Sequence, residues 1–247
     1  MTRPTSAADS GPTVALVHGA FADSAGWNDV IAQLLGEGVP AVAVSNPLRG
    51  IAHDAAYVAS ALGQIPGSVL AVGHSYGGAV LTNAALRAGN VLGLVYVAAF
   101  APDEGEALRD IEADSKDSVL NSALVPLRYP TDEGDATETE FPINAEKFHD
   151  AFAADVSPEQ ARIMAATQRP ISALGFSQRT RSPAWRSLPS WAVIPTGDKA
   201  AGTDVLRRMA ERAGATIVEA DGSHVIMISQ PKIVTDVVRQ ALRKVTR

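Results

Sequence analysis

Short runs of apolar, largely β-branched residues recur along the amino-terminal part of the chain, with helical periodicity between them. The runs are Thr13–Val17, Val39–Val44, Ser68–Val72 and Leu92–Ala99. Such short continuous runs are typical of strands buried on both faces. Intervening helices of about 10–15 residues indicate right-handed crossovers between parallel strands. The pattern predicts an α/β fold with a mostly parallel, doubly wound sheet of about six strands flanked by helices.

The alternation stops after Phe100 and resumes at Trp191–Ile194, with a further strand at Thr216–Val218 and a last helix from Pro231. Between them lie short amphipathic segments and polar spacers, and the acidic stretch Thr131–Glu140 is predicted to be a loop. We therefore expect a disordered tail (1–12), an α/β core (13–101 and 190–247) and an inserted helical cap (102–189).

Composition excludes several classes of protein. The 247 residues include no cysteine, so there is no disulfide framework and no thiolate ligand or nucleophile. The net charge of −6 and the scattered basic residues argue against nucleic-acid binding. No apolar run approaches the ~18–20 residues of a membrane helix, and the amino terminus lacks a signal-peptide pattern. We expect a cytoplasmic protein without metal or organic cofactor, and the sequence does not indicate its oligomeric state.

The segment Gly73-His-Ser75-Tyr-Gly77 matches G-x-S-x-G between a predicted strand and a predicted helix. In that context the serine occupies a sharp turn that raises its hydroxyl above the carboxyl edge of the sheet. Flanking glycines leave room for the close backbone packing of such a turn. Ser75 is therefore the predicted nucleophile.

A serine needs a base, and the chain has five histidines. Only His224 lies in a loop that follows a late strand and opens on the same sheet edge as Ser75. His18, His53, His74 and His149 are predicted to have structural roles or to lie away from this edge. His224 is therefore the predicted base.

The base needs a carboxylate that orients its ring. Asp198 follows the penultimate strand and faces the same edge, whereas Asp221 precedes Gly222 in a typical turn dipeptide. We predict Asp198 as the orienting acid, with Asp221 as the alternative. Backbone N–H groups should stabilise the oxyanion: that of Tyr76, and that of Ala20 with Phe21 as its alternative.

Four segments carry a resemblance to a known family: His18–Phe21, Gly73–Gly78, Val95–Glu104, and Gly222–His224 followed by Ser229–Pro231. Together they resemble the bacterial serine esterases of the α/β-hydrolase fold, especially the small single-domain members. The resemblance covers essentially the whole chain from Thr13 and is weakest in the predicted cap. It implies hydrolysis of carboxylic esters without a cofactor.

Relatives with other chemistry differ at key positions. Haloalkane dehalogenases and epoxide hydrolases resemble this chain but have an aspartate in place of Ser75. Plant hydroxynitrile lyases have a threonine in the turn occupied by Gly19 and Ala20, and a lysine in place of Val225. Perhydrolase-type or other acyl transfer on the same triad, and a ligand receptor with little turnover, remain alternatives.

Apolar residues of the predicted cap are candidates for the substrate pocket. They are Phe141, Phe148, Phe152, Phe176 and Trp185. Each can equally belong to the core of the cap itself. A concave, mostly apolar pocket favours small to medium apolar esters or lactones as substrates.

Overall fold

The computed structural model describes residues 11–131 and 134–246, so residues 1–10 of the predicted tail lie outside it. Residues 13–101 alternate strands with helices, as the sequence predicted. The strands are β1 (Thr13–Val17), β2 (Ala41–Val44), β3 (Val69–His74) and β4 (Val91–Val97). The helices are α1 (Asn28–Gly36), α2 (Ile51–Gly63) and α3 (Tyr76–Ala88), and a 3₁₀ helix at Ser24–Trp27 precedes α1.

Residues 102–189 lie between two adjacent strands of the main sheet, and we call them the inserted segment. Its helices are α4 (Leu108–Ala113), α5 (Ala145–Phe152), α6 (Pro158–Thr167) and α7 (Ala173–Ser177), with 3₁₀ turns at Leu120–Ser122 and Ala184–Arg186. It also contains a small antiparallel sheet of three strands. In spatial order they are β5 (Leu127–Pro130), β6 (Thr137–Phe141) and β7 (Ile171–Ser172).

The small antiparallel sheet was not predicted, and the loop prediction for Thr131–Glu140 is wrong over its second half. β6 pairs with β5 on one side and with β7 on the other. Its sequence alternates threonine with glutamate, so it shows no apolar face by which a strand is recognised. Backbone pairing on both sides, with no buried apolar face, holds it in place.

The carboxyl-terminal part completes the main sheet. It contains β8 (Ser190–Pro195), α8 (Thr203–Arg212), β9 (Thr216–Ala220), α9 (Ile226–Ser229) and α10 (Pro231–Val245). The six strands of the main sheet are all parallel and run in the order β2-β1-β3-β4-β8-β9. The predicted α/β sheet is therefore confirmed. Because every strand points the same way, the loops after β1, β3, β8 and β9 all open on one edge.

Helices cover the sheet and bury its central strands. Helix α3 packs against β1, β3 and β4. Helix α10 packs against β3, β4 and β8, and it also contacts α1. Helix α10 begins at Pro231 and buries Val234, Val237, Val238 and Ala241, the i, i+3, i+4, i+7 stripe of an amphipathic helix. Within the described ranges, no helix has the length and apolar character needed to cross a bilayer.

Candidate active site

Ser75 occupies the turn between β3 and α3 in an unusual backbone conformation. Its φ of 52° and ψ of −125° are strained for a residue with a side chain, at a cost of about 1–3 kcal/mol. The surrounding backbone is packed too closely for side chains. A Cβ on Gly77 would lie 2.5 Å from the Val17 carbonyl oxygen, and one on Gly19 would lie 2.6 Å from the Ser75 Cβ. The glycines thus permit the turn that the G-x-S-x-G pattern predicts.

Ser75, His224 and Asp198 form one continuous hydrogen-bonded chain. The Ser75 hydroxyl lies 2.8 Å from His224 Nε2 and donates to it. The opposite ring nitrogen, Nδ1, donates to Asp198 Oδ2 at 2.6 Å. All three side chains are buried. The loops after β3, β8 and β9 therefore bring together the three residues that the sequence predicts as nucleophile, acid and base.

The carboxylate of Asp198 is held through both of its oxygens. Oδ1 accepts hydrogen bonds from the N–H groups of Ala200 and Ala201, each at 2.9 Å, while Oδ2 faces His224. Asp221 is exposed, and its backbone carbonyl accepts a hydrogen bond from Gln230. The geometry therefore supports Asp198, and not Asp221, as the partner of His224.

Two backbone N–H groups at the cavity beside Ser75 are the candidates for binding an oxyanion. Those of Ala20 and Tyr76 have no backbone acceptor among the described residues. The N–H of Phe21 instead donates to the Arg169 carbonyl at 3.0 Å. The hydrogen of Phe21 is therefore engaged within the fold, so the structure favours Ala20 over the alternative donor Phe21. Ala20 and Tyr76 remain the candidate pair.

His74, within the Ser75 turn, contacts the His224 loop. Its Nε2–H donates to the His224 carbonyl at 2.9 Å, and the two ring centroids are 4.7 Å apart. Burial, together with the neighbouring His224 ring, holds the pKa of His74 well below its usual value. A neutral His74 adds no charge beside the candidate base. The sequence placed His74 in the turn but did not predict this contact.

The other histidines have structural contacts, in line with their predicted roles. His18 Nδ1 donates to the Gly19 carbonyl at 2.9 Å, and its Nε2 accepts from the Asn46 N–H at 3.1 Å and from Arg169 at 3.2 Å. Burial lowers the pKa of His18, consistent with this neutral tautomer. It thereby fixes the loop that carries Ala20. His53 and His149 contact Asp54 and the Val156 carbonyl respectively.

A small cavity of about 10 Å³ lies over Ser75, roughly enough for a single water molecule. Main-sheet loops and the inserted segment both line it. Its walls are Ala20, Phe21, Ser75, Tyr76, Phe100, Leu108, Glu112, Leu120, Phe152, Phe176, Ala200, Ala201 and His224. The Phe152 ring also packs against the His224 ring, with centroids 5.0 Å apart.

Two of the five predicted pocket residues, Phe152 and Phe176, line this cavity, and the other three do not. Phe148 is fully buried against Phe152, with ring centroids 5.0 Å apart, and Phe141 packs edge-on against Phe176 at 6.2 Å. The indole N–H of Trp185 donates to the Pro102 carbonyl at 3.0 Å, where the inserted segment begins. The structure does not bring these three side chains to the cavity; they pack within or at the base of the inserted segment.

Glu112 is a cavity residue that the sequence analysis missed. It is only 4% exposed, and burial raises the pKa of its carboxyl to about 8. Together with Leu108 and Ile111 it forms the buried face of α4, at spacing i, i+3, i+4. A carboxylate at helical spacing i, i+3, i+4 with Leu108 and Ile111 is the signal that could have identified it.

Asp155 is a second missed residue, and it ties the inserted segment to the His224 loop. Its carboxylate accepts from the N–H of Ser223 at 2.8 Å and from the hydroxyl of Ser229 at 2.6 Å. The hydroxyl of Ser223 donates to it as well. His224 is therefore anchored between the main sheet and the inserted segment.

Comparison with protein families identifies the class of this chain. Residues 14–237 match the model of the alpha/beta hydrolase family, and the chain belongs to that family. The parallel sheet, the serine turn after β3 and the late aspartate and histidine loops are the parts this fold is expected to have. A search of curated protein sequences found no match.

Solved structures with the same fold cover nearly the whole chain at low sequence identity. Polyneuridine aldehyde esterase matches with a TM-score of 0.77 and 19% identity, over 96% of this chain and 100% of that one. An extracellular alpha/beta-hydrolase from a Paenibacillus species matches at 0.75 and 19%, over 93% and 98%. A pyrethroid hydrolase from Sphingobium faniae JZ-2 matches at 0.74 and 19%, over 94% and 97%. At this identity the similarity establishes the fold.

Proposed function

We propose that the protein is a serine esterase that cleaves small to medium, mostly apolar carboxylic esters or lactones through an acyl-enzyme. The observation that carries the proposal is the chain from Ser75 through His224 to Asp198, with distances of 2.8 and 2.6 Å, next to two free backbone N–H groups. Membership of the alpha/beta hydrolase family supports a hydrolase. The names of two similar structures, an esterase and a pyrethroid hydrolase, are compatible with ester substrates.

The mechanism follows from these contacts. Ser75 Oγ attacks the ester carbonyl carbon while its proton passes to His224 Nε2. The N–H groups of Ala20 and Tyr76 stabilise the oxyanion, and Asp198 stabilises the imidazolium. Collapse of the tetrahedral intermediate breaks the bond to the alcohol oxygen, which takes the proton from His224. Water, deprotonated by His224, then attacks the acyl-enzyme and releases the acid and the free serine.

Substrate entry requires movement, because a cavity of about 10 Å³ is far too small for an ester. We propose that the inserted segment is a cap that opens to admit the substrate. Phe21 lines both this cavity and a second one of about 500 Å³, which Met164 and Val225 also line. We propose that the entrance lies at Phe21, the residue that the two cavities share.

The proposal is tested by turnover of p-nitrophenyl acetate and butyrate and by labelling with a fluorophosphonate probe. Ser75→Ala should abolish labelling and lower kcat by about 10⁴–10⁶. Ser187→Ala, an exposed serine whose side chain makes no contact with the cavity, is the matched control and should behave as wild type. Equal, slow hydrolysis by wild type and Ser75→Ala would overturn the esterase proposal and favour a ligand receptor on the same fold.

A further inference from the structure

Glu112, one of the polar residues that line the cavity over Ser75, has a side chain whose hydrogen-bonding capacity is unused within the described ranges. Ser75 and His224 are bonded to each other, and the Tyr76 hydroxyl donates to Asp54 Oδ2 at 2.8 Å. The carboxyl of Glu112 has no hydrogen bond or ion pair to any residue in the described ranges. The remaining walls are alanine, leucine and phenylalanine side chains.

An unpaired carboxyl in such a place is costly. Burying a polar group without a partner costs about 1–3 kcal/mol, and an ionised group costs more. Since no cationic side chain lines the cavity, the protein itself does not offset this cost. Leu108 and Ile111, the other buried residues of α4, are both apolar, so Glu112 is the exception on this face. A group on a bound ligand would supply the missing partner.

We propose that Glu112 is a specificity-determining residue that binds a hydrogen-bond donor, a hydroxyl or an amino group, on the ester substrate. The inference rests on the proposed esterase function and refines it. The substrate then has a mostly apolar body, which fits the phenylalanine and leucine walls, and one polar substituent that contacts Glu112. A neutral carboxyl can both donate to and accept from a hydroxyl, whereas an ammonium group pairs with the carboxylate form.

The test compares esters that differ in a single group of nearly equal size. One set is ethyl 3-hydroxybutanoate, ethyl 3-aminobutanoate and ethyl 3-methylbutanoate. A second set carries the same three groups at the sixth carbon: the ethyl esters of 6-hydroxyhexanoate, 6-aminohexanoate and heptanoate. Within each set, the ratio of kcat/KM for a polar ester to that for its methyl counterpart measures recognition of the polar group alone.

The variants are Glu112→Leu, Glu112→Gln and, as a control on the same helix, Asp110→Asn at an exposed position. In wild type we expect a hydroxyl or amino ester to be favoured over its methyl counterpart. Glu112→Leu should lower that ratio about 10- to 100-fold, the range of a hydrogen bond to a charged or strongly polar group. Turnover of the methyl esters should persist, and Asp110→Asn should keep the wild-type ratio.

Glu112→Gln separates the two kinds of donor. An amide retains a hydrogen-bonding partner for a hydroxyl but cannot ionise. If the natural group is a hydroxyl, the ratio should therefore fall much less than in Glu112→Leu. If it is an amine, Glu112→Gln should lower the ratio substantially, because the charge of the carboxylate is lost and only a neutral amide acceptor remains.

Two results would overturn the inference, and they are distinguishable. If the methyl esters are hydrolysed in a Ser75-dependent manner but every polar-to-methyl ratio is the same in wild type and Glu112→Leu, Glu112 does not recognise the substrate. If no ester shows Ser75-dependent turnover, the esterase function fails and the inference fails with it.

Discussion

The edge of the main sheet and the inserted segment face each other across the same cavity, but they are built differently. At the sheet edge, Asp198 uses both carboxylate oxygens and His224 uses both ring nitrogens. The inserted segment contributes aromatic and aliphatic side chains and the unpaired carboxyl of Glu112. In the proposed mechanism, the hydrogen-bonded sheet edge is preorganised for the proton transfers, whereas the residues of the opposite wall determine which substrate fits.

The largest effect should come from breaking the bonded edge at Asp198. Asp198→Asn keeps the size of the side chain but no longer favours the His224 tautomer that accepts the Ser75 proton, so kcat should fall about 10⁴-fold. Asp221→Asn, at an exposed position in the same group of loops, should change kcat little. Steady-state hydrolysis of p-nitrophenyl butyrate measures both. A severe loss in Asp221→Asn with a mild one in Asp198→Asn would transfer the orienting role to Asp221.

The buried carboxyl of Glu112, in the opposite wall, should make the free energy of unfolding depend on pH. Glu112 has a pKa of about 8 in the folded protein and an ordinary value of 4.5 when exposed. Between these values the folded state holds a proton that the unfolded chain releases, so the free energy of unfolding falls as pH rises. The loss through this window is at most about 5 kcal/mol.

Glu112→Gln cannot ionise and should escape this loss. Urea unfolding at pH 5 and pH 8 should therefore show the variant gaining stability relative to wild type at the higher pH. Glu159→Gln, an exposed glutamate on α6, should follow wild type at both values. Parallel curves for wild type and Glu112→Gln would mean that the Glu112 carboxyl titrates in its ordinary range and does not retain its proton in the folded protein.

The same contrast explains what the sequence predicts and what it does not. Strands such as Val69–His74 are buried on both faces, so their apolar runs are visible, and loop order then places Ser75, Asp198 and His224 at one edge. The inserted segment lacks such regularity. β6 is held by pairing rather than by an apolar face, so it has no strand pattern.

The directions in which side chains of the inserted segment point could also not be predicted from the sequence. Phe148 and Phe152 are one helical turn apart, and both are fully buried, yet only Phe152 reaches the cavity. Whether a buried aromatic ring faces its own core or the cavity depends on how α5 sits against the main sheet. That placement is fixed by long-range contacts, among them the hydrogen bonds of Asp155 to Ser223 and Ser229.

A third experiment asks whether the inserted segment also supports catalysis. Asp155→Ala removes the acceptor of Ser223 and Ser229, so the His224 loop should lose part of its positioning. We expect kcat to fall about 10- to 100-fold, with KM changed less, because a small displacement of the base weakens proton transfer. Asp150→Ala, on an exposed side chain of the same segment, is the control. Unchanged kcat in Asp155→Ala would confine the catalytic support to the sheet edge.

The smallest effect should be a change in acyl-chain preference when a wall residue is shortened. Phe176 lines the cavity, whereas Trp185 lies at the base of the inserted segment and donates to the Pro102 carbonyl. Phe176→Ala should raise kcat/KM for p-nitrophenyl hexanoate relative to acetate by several-fold to about tenfold. The space left by the ring should accommodate one or two additional methylene groups of the longer acyl chain against apolar side chains. Trp185→Phe should leave that ratio unchanged. The same shift in both variants would indicate general loosening of the inserted segment rather than a larger acyl site. Phe176 would then not be a residue that selects the substrate.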